Sequence, residues 1–85
     1  MTKPIRFSGH SYERLLHRGA TEQEVIETIR IAPWTQAERG RQECGKDFAF
    51  GREWNGKIYA TKRIRPIFVE EQHEILVVTV YVYYF

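Results

Sequence analysis

Ile75-Leu76-Val77-Val78-Thr79-Val80-Tyr81-Val82-Tyr83 is the longest run of β-favouring residues in the chain, and it reads as a strand. Its even positions, Leu76, Val78, Val80 and Val82, are aliphatic, while the odd positions include Thr79, Tyr81 and Tyr83. Neighbouring strand residues point to opposite faces. The aliphatic row is therefore expected beneath a covering layer and the Thr/Tyr row on the other face. Working back along the chain, Glu70-Glu71-Gln72-His73-Glu74 is a polar turn. Asn55-Gly56 separates two further strand-like runs, Phe48–Trp54 and Lys57–Arg65, and is the turn dipeptide of a two-residue hairpin. The second run extends past Pro66 to Val69. Pro66 has no N–H to give a ladder, so an edge position or a bulge is expected there. Trp34–Arg39 is a further short edge strand.

The first third of the sequence changes period. After a short extended segment, Pro4–Ser8, a helix is expected from Ser8 or Gly9 to about Arg18, stopped by Gly19. Tyr12, Leu15 and Leu16 at i, i+3 and i+4 would form its buried stripe. Thr21 with Glu24 is a capping box that opens a second helix, whose inward residues are Val25, Ile26 and Ile29 and whose limit is Pro33. The expectation is an α+β fold in a single domain, residues 1–85: two N-terminal helices on one face of a three- to four-stranded, mainly antiparallel sheet.

Eighty-five residues allow one modest core. Thirteen Lys and Arg against eleven Asp and Glu give a net charge of only +2. A basic surface thus requires segregated charge, and Lys57-Ile58-Tyr59-Ala60-Thr61-Lys62-Arg63-Ile64-Arg65-Pro66 supplies it locally. One cysteine, Cys44, allows no internal disulfide and fits a reducing compartment. There is no apolar leader and no run long enough to span a bilayer. A soluble cytoplasmic protein, with no membrane partner, no metal and no cofactor, is the expectation.

Two groups of residues suit phosphodiester chemistry. His10, Arg14 and Arg18 recur at i, i+4 and i+8 and lie along one helix face. Arginine matches phosphate oxygens two at a time, and neighbouring cations favour the neutral imidazole that acts as a base. The plainer alternative is a solvated helix face. The second group lies on the cationic strand, where Tyr59, Thr61, Arg63 and Arg65 would share a face. Lys62 would fall among Ile58, Ala60 and Ile64, where it must snorkel, pair or work. Cations among rings suit single-stranded nucleic acid; the plainer alternative is a charged strand that guards an edge against pairing. The terminal rings, Tyr81, Tyr83, Tyr84 and Phe85, either close the core or form a partner surface.

Phe7-Ser8-Gly9-His10-Ser11-Tyr12-Glu13-Arg14-Leu15-Leu16-His17-Arg18-Gly19-Ala20-Thr21-Glu22-Gln23-Glu24-Val25 resembles the opening motif of a small bacterial family, the domain of unknown function 4258 family. Arg65-Pro66-Ile67-Phe68-Val69-Glu70-Glu71 and Val77-Val78-Thr79-Val80-Tyr81 resemble its second half. Ser11 stands where that family usually has Ala, and Leu15 where Met is common. The family is similar to the RelE-like and BrnT-like RNase toxins of toxin–antitoxin modules. The resemblance implies a RelE-like fold and a metal-independent endoribonuclease with His10, Arg14, Arg18 and Lys62 as its catalytic set. Arg63, Arg65 and Tyr81 would hold flanking nucleotides. The implied partners are RNA, free or ribosome-bound, and an antitoxin protein, with monomer and dimer both open. The alternative is a non-catalytic protein- or RNA-binding module.

Overall fold

Local signals set the helices. The structure, a computed structural model, describes residues 2–85. Helix α1 (Gly9–Arg18) starts at Ser8, whose Oγ accepts from the Ser11 N–H at 3.1 Å. It stops at Gly19, which adopts φ 75°, a left-handed conformation that glycine enters without strain. Helix α2 (Glu22–Ile31) opens with the full Thr21/Glu24 capping box. Six strands share one mixed sheet: β1 (Ile5–Phe7), β2 (Thr35–Gln36), β3 (Gln42–Glu43), β4 (Lys46–Trp54), β5 (Lys57–Glu70) and β6 (Ile75–Tyr84). The order is β1-β6-β5-β3-β2, with β4 also on β5; β1 runs parallel to β6, and the other pairs are antiparallel.

The sheet thus exceeds the three or four strands expected. The additional ones, β1 and β3, span three and two residues, too short for any periodicity to show. Glu43 pairs with Ile67 and Lys46 with Ile64, so β3 and β4 keep one register along β5 and form a single strand broken at Cys44-Gly45. That register sets Pro66 opposite Cys44. Pro66 is therefore neither at an edge nor in a bulge. It lies within the central strand β5, opposite the break in its neighbour, where its missing N–H removes no ladder bond.

Two irregularities decide which residues are buried. The β5–β6 register shifts between Ile67 and Phe68, leaving Val78 as the extra residue of a bulge. Before it the odd residues Ile75 and Val77 are buried; after it the even residue Val80 is. The expected aliphatic row therefore holds only for Val80 and the half-buried Val82, and Leu76 and Val78 are not in the core. The β4–β5 register shifts between Ala49 and Arg52, where Gly51 has φ 63°. The added twist brings the Tyr59 ring to Tyr84, 5.7 Å between centroids, instead of leaving it beside Arg63 and Arg65.

The core lies between the helices and one sheet face: Leu15, Val25 and Ile29 above, Ile64, Phe68, Val77 and Val80 below. Helix α1 rests on β6 and α2 on β5. The buried stripe of α1 consists of Ser11 and Leu15, while Tyr12 and Leu16 are exposed. Ser11 is buried there at no polar cost, because its Oγ donates to the Ser8 carbonyl at 2.9 Å. Cys44 is buried beneath α2, its Sγ 3.6 Å from the Thr28 carbonyl, and desolvation raises its thiol pKa to about 11. At pH 8 the native thiol is accordingly protonated and should label with iodoacetamide far more slowly than in urea-unfolded protein. Equal labelling rates in the two states would contradict this burial. Among the described residues, no helix is long and apolar enough to cross a membrane.

Candidate nucleic-acid interface

The face of the sheet turned away from the helices is uncovered. Cross-strand register arranges it in rows: Asp47–Arg63–Tyr83, Gly45–Arg65–Tyr81 and Glu43–Ile67–Thr79. Down β6, Tyr81, Tyr83 and Phe85 form a column of rings 39%, 43% and 53% exposed. Residues two apart on a strand are about 6.7 Å apart. These rings therefore do not close the core, and Tyr84, on the opposite face, packs against Phe50, Trp54 and Tyr59.

Guanidiniums accompany the column. Arg63 lies 5.0 Å from the centre of the Phe85 ring. Arg65 lies 5.9 Å and Arg18 5.3 Å from that of Tyr81. Arg65 approaches from β5. Arg18 arrives from the other flank: it leaves the end of α1, passes the free edge of β6 and donates to the Val80 carbonyl at 2.7 Å. Two of these cations already have carboxylates. Arg63 is bound to Asp47 at 2.6 and 3.1 Å, and Arg65 to Glu43 at 2.8 and 2.9 Å, with Tyr83 Oη 3.4 Å away. The hydrogen bond from Arg63 holds the Asp47 carboxyl below the usual carboxylate range, so this pair persists into moderate acid. Arg18 has no carboxylate partner among the described residues.

A hairpin tip adds to the face what the sequence did not single out. The β2–β3 connection passes through a 3-10 turn, Glu38–Gly40, with Arg39 at φ 59° and ψ 36°. A non-glycine residue in this region is strained by about 1 kcal/mol or more. The turn overhangs a pocket of about 380 Å³ walled by Arg39, Arg41, Arg65, Glu38 and Tyr81, with Ile67 in its floor. Arg39 and Arg41 have no carboxylate partner among the described residues. The sequence signal for this turn was the Arg39-Gly40 dipeptide alone.

The other predicted site residues lie elsewhere. His10 and Arg14 are exposed on α1, and Arg14 has no ion-pair partner among the described residues. His10 stands about 12 Å along the helix from Arg18. Lys62 is on the helix-covered face, 3% exposed. Its Nζ donates to the Gly19 carbonyl at 3.0 Å and to Glu24 at 2.8 Å. Lys62 thus joins the end of α1 to the start of α2, with the sheet between it and Arg63. The structure brings Arg18, Arg65 and Tyr81 together and separates them from His10 and Lys62. One phosphate cannot reach the whole predicted catalytic set, because α1 begins beside Val77, its Arg18 end reaches the Val80 carbonyl, and Lys62 is buried on the helix-covered face. No cluster of three His, Cys, Asp or Glu able to hold a metal occurs among the described residues.

Comparison with models of protein families, with curated proteins and with solved structures finds no match.

Proposed function

We propose that this chain is an RNA-binding domain that holds single-stranded RNA across the open face of its sheet. One observation carries the reading: the column Tyr81, Tyr83 and Phe85 stands exposed with guanidiniums beside it. Exposed rings on a sheet stack two or three unpaired bases, and neighbouring arginines hold the backbone. The tightly organised cross-strand pairs Arg63–Asp47 and Arg65–Glu43 keep those guanidiniums in place, so little side-chain freedom remains to be lost on binding. The sequence resemblance to the domain of unknown function 4258 family, and through it to RelE-like RNA-directed toxins, supports the same ligand.

The test is fluorescence anisotropy with a labelled seven-nucleotide RNA. Each stacked base contributes about 1–3 kcal/mol, so Tyr81→Ala with Tyr83→Ala should weaken binding by at least about tenfold while leaving the urea midpoint nearly unchanged. Contacts from Arg18, Arg63 and Arg65 should give a log–log salt slope of about −2. Binding that is unaffected by the double substitution, or absent at low salt, would refute the reading.

A second reading, a metal-independent endoribonuclease held in check by an antitoxin, draws on Arg18 and Arg65 at one ring. Two guanidiniums there are placed to stabilise charge developing on phosphoryl oxygens. Glu43, on Arg65, is the carboxylate at hand to take the proton of an attacking 2′-hydroxyl. Incubating free and ribosome-bound RNA in EDTA with wild type and Arg65→Ala distinguishes the two: intact RNA throughout leaves the binding domain alone.

A further inference from the structure

Besides the exposed pair Tyr12 and Leu16 on α1, three concavities could serve a ligand: the cleft between Lys3 and Trp34, the shallow cleft between Pro33 and Arg63, and the pocket beneath the Arg39 turn. The last has three arginines in its walls and borders the ring column at Tyr81. We propose that this pocket is a nucleotide subsite that selects guanine, an inference that rests on the RNA-binding reading.

The argument starts from what the walls exclude. Arg39, Arg41 and Arg65 make the pocket net cationic, which favours an anion. Glu38 and Glu43 line the same space, and a carboxylate repels a bare phosphate or sulfate. The ligand must therefore carry both a negative group and hydrogen-bond donors. A nucleotide does. The volume of about 380 Å³ lies at the lower end of the range for small-ligand sites, roughly 300–1,000 Å³, and matches one nucleotide rather than several. Tyr81 in the wall gives a base a ring to stack on, and that ring ends the column along which the strand would run.

The donors then choose among bases. An ionised carboxylate only accepts. Cytosine and adenine offer it one exocyclic amino group, and uracil one ring N–H. Guanine alone presents two adjacent donors, N1–H and N2–H, which match the two oxygens of a carboxylate. Unpaired bases in RNA are read on this edge. Glu38 is the free carboxylate, with no side-chain partner among the described residues, whereas Glu43 is committed to Arg65. Glu38 therefore reads the base, Arg39 and Arg41 hold its phosphate, and Glu43 positions Arg65. The left-handed backbone at Arg39 fits this assignment, since strain of that kind gathers at ligand-holding turns.

The experiment compares the RNA heptamers UUUGUUU, UUUAUUU, UUUCUUU and UUUUUUU by anisotropy, on wild type, Glu38→Ala and Tyr81→Ala. A bidentate contact discriminates by roughly tenfold or more, so the G-containing heptamer should bind wild type about tenfold more tightly than the others. In Glu38→Ala that preference should fall below about twofold, while affinity for the A-containing heptamer holds or rises as a repulsive charge is lost. A merely structural role for Glu38 would weaken all four alike and would overturn the proposal. Equal binding of all four to wild type, with Tyr81→Ala weakening each, overturns the guanine subsite and leaves the RNA-binding face standing. No binding of any heptamer removes both.

Discussion

Lys62→Ala should destabilise the protein by about 3–5 kcal/mol, the usual result of removing one partner from a buried ion pair. The ammonium is 3% exposed and makes two bonds no other group can replace: one to the Gly19 carbonyl and one to Glu24. Its loss takes the ammonium donor from the Gly19 carbonyl and the counter-charge from the Glu24 carboxylate, and opens space beside Phe50, whose ring centre is 5.5 Å from Nζ. A domain of this length is stable by about 4–13 kcal/mol in total, so the substitution removes about a quarter of that or more. Lys62→Met keeps the packed stem and should lose markedly less. Urea unfolding followed by Trp34 and Trp54 fluorescence measures both. An alanine variant within about 1 kcal/mol of wild type would show that Lys62 is not a structural pin, and a catalytic role would then return to consideration.

Gly19→Ala is expected to lower stability by about 2–5 kcal/mol. A left-handed backbone costs a residue with Cβ about 1–2 kcal/mol, and overpacking adds about 1–3 kcal/mol. Here the new Cβ would lie 2.6 Å from Trp54 Cζ3 and 2.6 Å from Tyr84 Oη. Neither atom can retreat freely. The Trp54 and Tyr84 rings stack at 4.9 Å, and Tyr84 Oη donates to the Arg18 carbonyl at 2.7 Å. Burial raises the Tyr84 pKa, keeping that hydroxyl a donor at neutral pH. The thermal midpoint should fall by about 4–8 °C for each kcal/mol. A shift under a few degrees would mean that the aromatic cluster yields more easily than its contacts indicate.

These two residues show what a one-dimensional reading delivers. Gly19 as helix stop, the Thr21/Glu24 box and the Asn55-Gly56 turn are local, and each holds within a residue or two. The two-helix α+β plan follows from them. The bulge at Val78 is not local: it arises where β6 meets β5, and it exchanges which side chains of Ile75–Val80 face the core. The break opposite Pro66 likewise exists only as a relation between strands. On the candidate surface, the strand period grouped Arg63 with Arg65 on one strand and Tyr81 with Tyr83 on another; that the two groups share a face emerges only from the β5–β6 register. Arg39 and Arg41 were not legible, because a short turn has no period and its chemistry appears only once it folds over β5. Lys62 was correctly marked as a charge in an apolar row, but its partners lie 38 and 43 residues away in sequence, so pairing and catalysis could not be told apart.

The strand order has a temporal side. β6 is the last strand along the chain, yet it sits between β1 and β5 and carries the floor of α1. Until it arrives, β1 has no neighbour, the hydrophobic side of α1 rests on nothing, and Arg18 has no edge to clasp. The β4–β5 hairpin can assemble from adjacent residues, whereas pairing Ile5 with Ile75 must close a loop of some 70 residues. Contacts so distant in sequence slow the search for the native state. The chain is thus a wall completed from the middle, and a nascent copy emerging N-terminus first keeps the inner side of α1 exposed until β6 is made.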